Sequence, residues 1–289
     1  MRFSGVGLVV LAAVCWGISG GIADILMEKG WDPIIISFYR GAVGFVCFLI
    51  WFLLHARQNL STSRWFYIWS LLAGVGVAGN FTFYFFSIEH SSMAIAATLM
   101  YTAPVFVFLI SFIFKIERST WFKWGSIGGV LIGIVLLTGA YQIDSLSVSL
   151  IGAITGLAAG LSYACFIFGF KNASSKGKPQ TALTTAFLAF CIILFSISDK
   201  QEIVDATTSS DIGWFLLLGM IGAGISFIVY VIGIRRTTAS TASMVAMVEP
   251  VTASLFGVLL LGDHLNLVQM IGMVIILATV TILSVKQKD

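Results

Sequence analysis

An acidic residue stands beside a proline in the middle of a long apolar stretch. Glu249 comes about ten residues into this stretch, which at about 1.5 Å per helical residue places it roughly 15 Å deep in a bilayer. A charge there costs about 2.5–3.5 kcal/mol, so we expect Glu249 to be neutral or paired. Pro250 removes a backbone donor, which is tolerated where the chain faces protein or a wet cavity. Glu249 is then either a proton or substrate site, or a structural hydrogen bond in a kinked helix.

A basic residue lies inside a second apolar stretch. Arg40 is about seven residues from the nearer end of this stretch, so its side chain would have to extend roughly 10 Å to reach water. We expect it to point into the bundle toward a carboxylate or carbonyls, with Glu249 and Asp24 as candidate partners. The alternative is a structural anchor near the rim, and Asp24 is expected to be a solvated residue at the mouth.

Polar-tipped side chains recur in other apolar stretches and could line the same space. Asn80 and Tyr84 are four residues apart and share a helix face, and Tyr101 lies one turn before Pro104. Such groups around a cavity suit small amphipathic or aromatic metabolites, whereas helix packing or an interfacial belt is the alternative for each. The candidates are Trp16, Asn80, Tyr84, Tyr101 and Tyr163.

The composition indicates a polytopic membrane protein. Of 289 residues, 58% are hydrophobic and 10% are charged, against about 25% charged residues in a typical soluble domain. The four cysteines and three histidines are scattered, so they suggest no disulfide framework and no metal site. We expect no cofactor, no nucleic-acid partner and no enzymatic activity, because the charged groups are not clustered at one membrane face.

Ten apolar stretches are long enough to cross a bilayer as helices, with short gaps between them. The predicted fold class is therefore an all-α integral membrane protein with ten transmembrane helices. The stretches are 4–27, 33–55, 66–88, 92–114, 121–140, 148–170, 180–198, 212–234, 239–262 and 267–285.

Basic residues predict which way the helices point. With both termini on one side, thirteen of the sixteen Lys and Arg residues fall on that side, two fall opposite, and Arg40 lies within a helix. Because basic loops stay in the cytoplasm, both termini are predicted to be cytoplasmic.

The two halves of the chain resemble each other. Residues 91–117 align with 237–263 at an offset of 146, and residues 5–16 align with 152–163 at an offset of 147. The sequence thus predicts two five-helix repeats, 1–143 and 147–289. Because five is odd, the repeats are inverted, as in secondary transporters that bind substrate between their halves. Pro104 matches Pro250, but Ala103 matches Glu249, so the kink does not require the acid.

The chain resembles the EamA-like family of the drug/metabolite transporter superfamily over nearly its whole length. The motifs that carry this resemblance are "CWGISG" (15–20), "SFYRGAVGF" (37–45), "GNFTFYFFSIEHSSMAIAATLMYTAPVF" (79–106) and "MVEPVTASLFGVLLLGD" (247–263). The resemblance implies a central cavity between the halves, alternating access, and a role for Arg40. The family often has Glu where Asp263 stands.

We therefore expect a multi-pass protein of the cell membrane that transports an amino acid or a drug-like compound, with export favoured. Glu249 is the candidate for coupling to protons, and rows of glycines are compatible with a monomer or a weak homodimer. An uptake permease or facilitator of the same fold is the alternative, followed by a membrane protein that does not transport.

Overall fold

The computed structural model describes residues 2–54, 63–142 and 149–286, and its regular structure over these ranges is entirely helical. Ten helical stretches in them are long and apolar enough to cross a membrane, which confirms the expected fold class. We number these spans in chain order. They are Gly5–Glu28, Pro33–Leu53, Arg64–His90, Met93–Ile113, Trp121–Thr138, Leu150–Lys176, Pro179–Ile197, Ile212–Ile234, Ala239–Leu261 and Leu267–Val285.

The predicted spans agree with the observed ones to within a few residues, except that the sixth span continues to Lys176. The inversion of the repeats and the cytoplasmic termini stay predictions. The predicted junction between the repeats, 143–147, lies outside the described residues.

Two spans are broken near their middle, just before the matched prolines. The fourth span is interrupted at Tyr101 and Thr102, and the ninth at Ala246 and Met247. The resulting half-helices are Met93–Met100 and Ala103–Ile113 in the fourth span, and Ala239–Val245 and Val248–Phe256 in the ninth. A proline near the first turn of the second half-helix suits both breaks, because the N–H groups there have no partner within the helix.

Side-chain caps start these broken spans at matched positions. The Ser92 hydroxyl accepts a hydrogen bond from the backbone N–H of Ile95 at 3.3 Å, and the Thr238 hydroxyl accepts one from Thr241 at 3.3 Å. Each cap satisfies one of the orphan donors of a first helical turn. The two caps are 146 residues apart, the offset of the sequence alignment.

Glycines bring a neighbouring helix against each break. A Cβ atom on Gly160 of the sixth span would lie 3.0 Å from the carbonyl oxygens of Leu99 and Met100. A Cβ atom on Gly17 of the first span would lie 2.6 Å from the carbonyl oxygen of Glu249. The absence of a side chain at these two positions lets the first and sixth spans reach the backbone beside the breaks.

Candidate functional site

A cavity of about 460 Å³ lies between the halves of the bundle and reaches both the first and the ninth span. Most of its wall is apolar, with side chains such as Met27, Ile36, Phe85 and Met100. Its charged and polar lining includes Asp24, Arg40, Asn80, Tyr84, Tyr101 and Glu249. A space of this size and lining is typical of a small-molecule site.

The cavity runs from the middle of the bundle toward the end opposite the chain termini. Its lining extends along the first span from Trp16 to Met27, and along the fourth from Tyr101 back to Met93. A second space of about 270 Å³ adjoins it at that end and shares Met27 and Met93 with it. In the predicted orientation, the mouth of the cavity faces outside the cell.

Arg40 is held against the eighth span by a backbone carbonyl. Its Nε donates a hydrogen bond of 3.1 Å to the carbonyl oxygen of Gly222, and its guanidinium carbon lies 4.9 Å from the centre of the Phe81 ring. Gly222 belongs to a π-helical turn, Met220–Ile225, a local distortion that often accompanies functional sites. Among the described residues, the guanidinium uses only Nε for a hydrogen bond, so its other N–H groups can bind a ligand.

Glu249 lies in the first turn of the second half-helix of the ninth span and lines the cavity. It accepts a hydrogen bond of 3.4 Å from the Tyr163 hydroxyl. It is close enough to Arg40 to interact electrostatically. Within the described part of the chain the ion pairs are Lys29–Asp211 and Lys123–Glu117, so Glu249 and Arg40 do not form one with each other.

Of the two kinds of partner expected for Arg40, a carboxylate or a carbonyl, the structure shows a carbonyl. Asp24 also lines the cavity, where it forms neither an ion pair with Arg40 nor a hydrogen bond among the described residues. It is half-buried near the end of the lining toward the mouth, and its role as a solvated residue stays a prediction.

The polar aromatic candidates divide between the wall and the layer behind it. Tyr84 and Tyr101 lie on the wall, and so does Asn80, whose amide donates a hydrogen bond of 3.0 Å to the Ala159 carbonyl oxygen. Tyr163 is buried and is not a wall residue; it contacts Glu249 from behind. Of the two prolines, Pro250 is in the wall and Pro104 is outside it.

Trp16 forms the floor of the cavity. Its ring packs against Phe227 and Tyr230, with ring centres 5.2 Å and 5.0 Å away. Only 3% of Trp16 is exposed, and its indole N–H has no hydrogen-bond partner in the described structure. A buried donor without a partner is costly, so this indole is an unsatisfied polar group directly beneath the cavity.

Sequence reasoning missed Gly222 and Phe81, which hold Arg40 in place. Phe81 follows Asn80 directly, and its ring faces the guanidinium. For Gly222, no sequence signal marked the π-helical turn.

For the transport that the sequence resemblance implies, we expect Gly222→Ala to cause a loss of about tenfold or more, because its new methyl group would displace Arg40. A Cβ atom there would lie 2.7 Å from the Arg40 Nε and 2.7 Å from the Ser19 Cβ, and small displacements at a site have effects of at least this size. Gly213→Ala in the same span is the matched control, since nothing lies within 4 Å of the added atom. Equal uptake rates for the two variants in proteoliposomes would contradict the role of Gly222 in holding Arg40 in place.

Comparison with known proteins identifies similar chains over nearly the full length. The EamA-like transporter family matches residues 3–139 and 150–285. An uncharacterized transporter of Archaeoglobus fulgidus is 27% identical, with 98% of this chain and 96% of that protein covered. The threonine/homoserine exporter RhtA of Escherichia coli K12 is 25% identical, with 72% of this chain and 68% of that protein covered. A crystal structure with 19% identity superimposes with a TM-score of 0.74, covering 96% of this chain and 94% of the other.

Proposed function

Because the chain belongs to the EamA-like transporter family, we propose that it is a secondary transporter for a small zwitterionic metabolite of the amino-acid type. Membership of this family and the ten spans confirm a multi-pass protein of the cell membrane. The similar chains are named as transporters, which is consistent with the expectation that the protein is not an enzyme.

The observation that carries the substrate class is the pair of opposite charges in the cavity. Arg40 and Glu249 line the same space without an ion pair between them. A zwitterion placed there would bring its carboxylate to the free N–H groups of Arg40 and its ammonium to Glu249. Charge-assisted hydrogen bonds of this kind are about twice as strong as neutral ones.

The apolar remainder of the wall is suited to a short side chain. Met27, Met93 and Met100 provide adaptable contacts, and Phe81 and Phe85 provide flat ones. The cavity volume of about 460 Å³ lies toward the small end of the usual range for ligand pockets. The name of the similar exporter RhtA supports threonine and homoserine as first test compounds, and export as the direction.

Transport in this proposal occurs by alternating access with Glu249 as the proton-coupling group. The cavity is continuous with one end of the bundle, and the half-helices of the fourth and ninth spans meet it near the middle. Access from the other end requires the halves to move about the site, as in other transporters with internal repeats. Glu249 can exchange a proton for the substrate ammonium, since both occupy the same carboxylate.

A thermal-shift screen of purified protein, followed by counterflow in proteoliposomes, tests the substrate class. We expect L-threonine or L-homoserine to stabilise the protein, by about 2.7 kcal/mol when the ligand is at a hundred times its dissociation constant. Their amides and N-acetyl derivatives keep the side chain but lose one charge each, so they are matched controls. Equal shifts from a zwitterion and its amide would contradict the pairing with Arg40.

A further inference from the structure

At the end of the bundle that carries the chain termini, an acid reaches across the two halves. The Glu117 carboxylate, just after the fourth span, accepts hydrogen bonds from the Ser240 hydroxyl at 2.7 Å and from the Ser240 N–H at 3.2 Å. The Lys123 ammonium forms an ion pair with the same carboxylate at 2.6 Å. We call Glu117, Ser240 and Lys123 the inner latch.

The inner latch is well desolvated and charged. The Glu117 side chain is 9% exposed and Ser240 is 1% exposed. Burial raises the pKa of Glu117, but hydrogen bonds from Lys123 and Ser240 outweigh burial and bring the pKa below its ordinary value. The carboxylate is therefore ionised at neutral pH, and separating it from Ser240 would leave polar groups without partners.

The sequence repeat places a second set of residues at the opposite end of the bundle. At the offset of 146, Glu117 matches Asp263, Ser240 matches Ala94, and Lys123 matches Gln269. Asp263 is exposed after the ninth span, near enough to Asp24 to interact electrostatically. Ala94 lies on the cavity wall and forms no hydrogen bond with Asp263 in the described structure. We call Asp263, Ala94 and Gln269 the outer latch.

We propose, on the basis of the alternating-access transport proposed above, that the two latches form in turn. The inner latch holds the terminal end closed, as in this structure. When it opens, Asp263 moves onto the backbone N–H of Ala94 and closes the mouth of the cavity. The outer latch therefore forms only when the inner latch has opened, and the reverse.

Three differences between the matched residues make the outer latch weaker. Asp263 is one methylene shorter than Glu117, Ala94 offers a backbone N–H where Ser240 adds a hydroxyl, and Gln269 has no charge where Lys123 is cationic. Hydrogen bonds to charged groups contribute more than neutral ones. The protein is therefore expected to rest with the terminal end closed and the cavity mouth open.

A further matched pair also favours a closed terminal end and an open cavity mouth. Continuing the alignment at an offset of 147 matches Lys171 with Asp24. The Lys171 ammonium donates hydrogen bonds to the carbonyl oxygens of Ile234, at 2.9 Å, and of Thr237. At the offset of 146, Ile234 matches Ile88, and Asp24 has no ammonium group to donate to that carbonyl. Nothing equivalent to the Lys171 contacts therefore strengthens closure at the cavity mouth.

Paired cysteine reporters test the two latches without a transport assay. In a background with the four native cysteines replaced, Ala97→Cys reports the open cavity, because Ala97 is a wall residue. Its matched residue Ser243 is 0% exposed in the closed end, so Ser243→Cys reports inner opening. Thr207→Cys, on the exposed helix Lys200–Thr208, reports reagent access and should not change. A membrane-impermeant maleimide is applied to intact cells for Ala97→Cys and to inside-out vesicles for Ser243→Cys.

We expect Glu117→Gln to lower labelling at Ala97→Cys and to raise it at Ser243→Cys, with a shift of about tenfold in the ratio. Ser240→Ala keeps the backbone donor, so we expect it to change the labelling in the same direction but by a smaller factor. It serves as the test if Glu117→Gln is not monodisperse after purification. Ala94→Ser with Gln269→Lys should also lower labelling at Ala97→Cys, because these changes give the outer latch the residues of the inner one.

Two results would overturn the proposal, and they are distinguishable. If the parent reporters change with L-threonine or L-homoserine during counterflow but not with any latch variant, the latches are wrong and transport stands. If the parent reporters respond to neither compound and to no variant, alternating access is wrong as well.

Discussion

Glu249→Gln is expected to lower counterflow of the zwitterionic substrate by about a hundredfold. The amide has nearly the shape of the carboxylate and can still accept the hydrogen bond from the Tyr163 hydroxyl. It has no charge to hold an ammonium group and no proton to exchange at physiological pH. Losing a charge-assisted hydrogen bond of about 1.5–3 kcal/mol in a desolvated site corresponds to roughly ten- to hundredfold in binding. We expect the upper end, because the ammonium of the ligand is then left unpaired.

Two assays on the same proteoliposomes separate the two roles of Glu249. Counterflow needs no ion gradient, so its loss reports substrate binding, whereas accumulation driven by a pH gradient reports coupling. A variant that retains counterflow but no longer responds to the gradient would leave Glu249 with the proton role alone. Unchanged counterflow and unchanged pH dependence would refute both roles.

Tyr163→Phe is the matched control for this prediction. It removes the hydroxyl behind Glu249 but keeps the aromatic ring, whose centre lies 4.5 Å from that of Phe166. Because the bond at 3.4 Å is long, we expect an effect of only a few fold.

The spans were predictable because a bilayer imposes one strong constraint on sequence. Each crossing helix must be apolar for about 20 residues, and the gaps between the runs here are short. Breaks in the fourth and ninth spans accompany Pro104 and Pro250, which stand out in any apolar run. The two prolines also revealed the offset of 146 between the repeats, because the residues around each proline match as well.

The direction in which each side chain points was much less predictable. In a soluble helix, apolar residues mark the buried face, but a membrane helix is apolar toward lipid as well as toward protein. Tyr163 and Trp16 are matched in sequence, yet Tyr163 lies behind the wall and Trp16 lies on it. The polar character of a residue therefore identified it as a candidate but did not show whether its side chain lines the cavity.

The support of Arg40 could not be predicted because it depends on backbone geometry. The Gly222 carbonyl that accepts its hydrogen bond belongs to a π-helical turn, and no residue pattern specifies such a turn reliably. The sequence predicted a carboxylate or carbonyls as partners but could not show which carbonyl would be within reach. The carbonyl satisfies one donor and leaves the positive charge of Arg40 available to a ligand.

Arg40→Gln is expected to lower counterflow by about a hundredfold and to remove the preference for a free carboxylate on the substrate. The variant cannot offer two parallel N–H donors, and it leaves Glu249 without its electrostatic partner. Arg40→Lys keeps the charge but loses the planar fork and the geometry of the bond to Gly222, so we expect about a tenfold loss.

Ligand derivatives assign each charge in the cavity to one end of the substrate. With Arg40→Gln, the thermal shift from an amino-acid amide should approach the small shift that remains for the zwitterion. With Glu249→Gln, the thermal shift from the N-acetyl derivative should instead approach the small shift that remains for the zwitterion. Phe81→Leu is the control, because it removes the ring beside the guanidinium but leaves the charge in place. If both charge variants lose discrimination at the same end of the ligand, the proposed orientation is wrong. If each loses it at its own end, Arg40 and Glu249 together select a zwitterion.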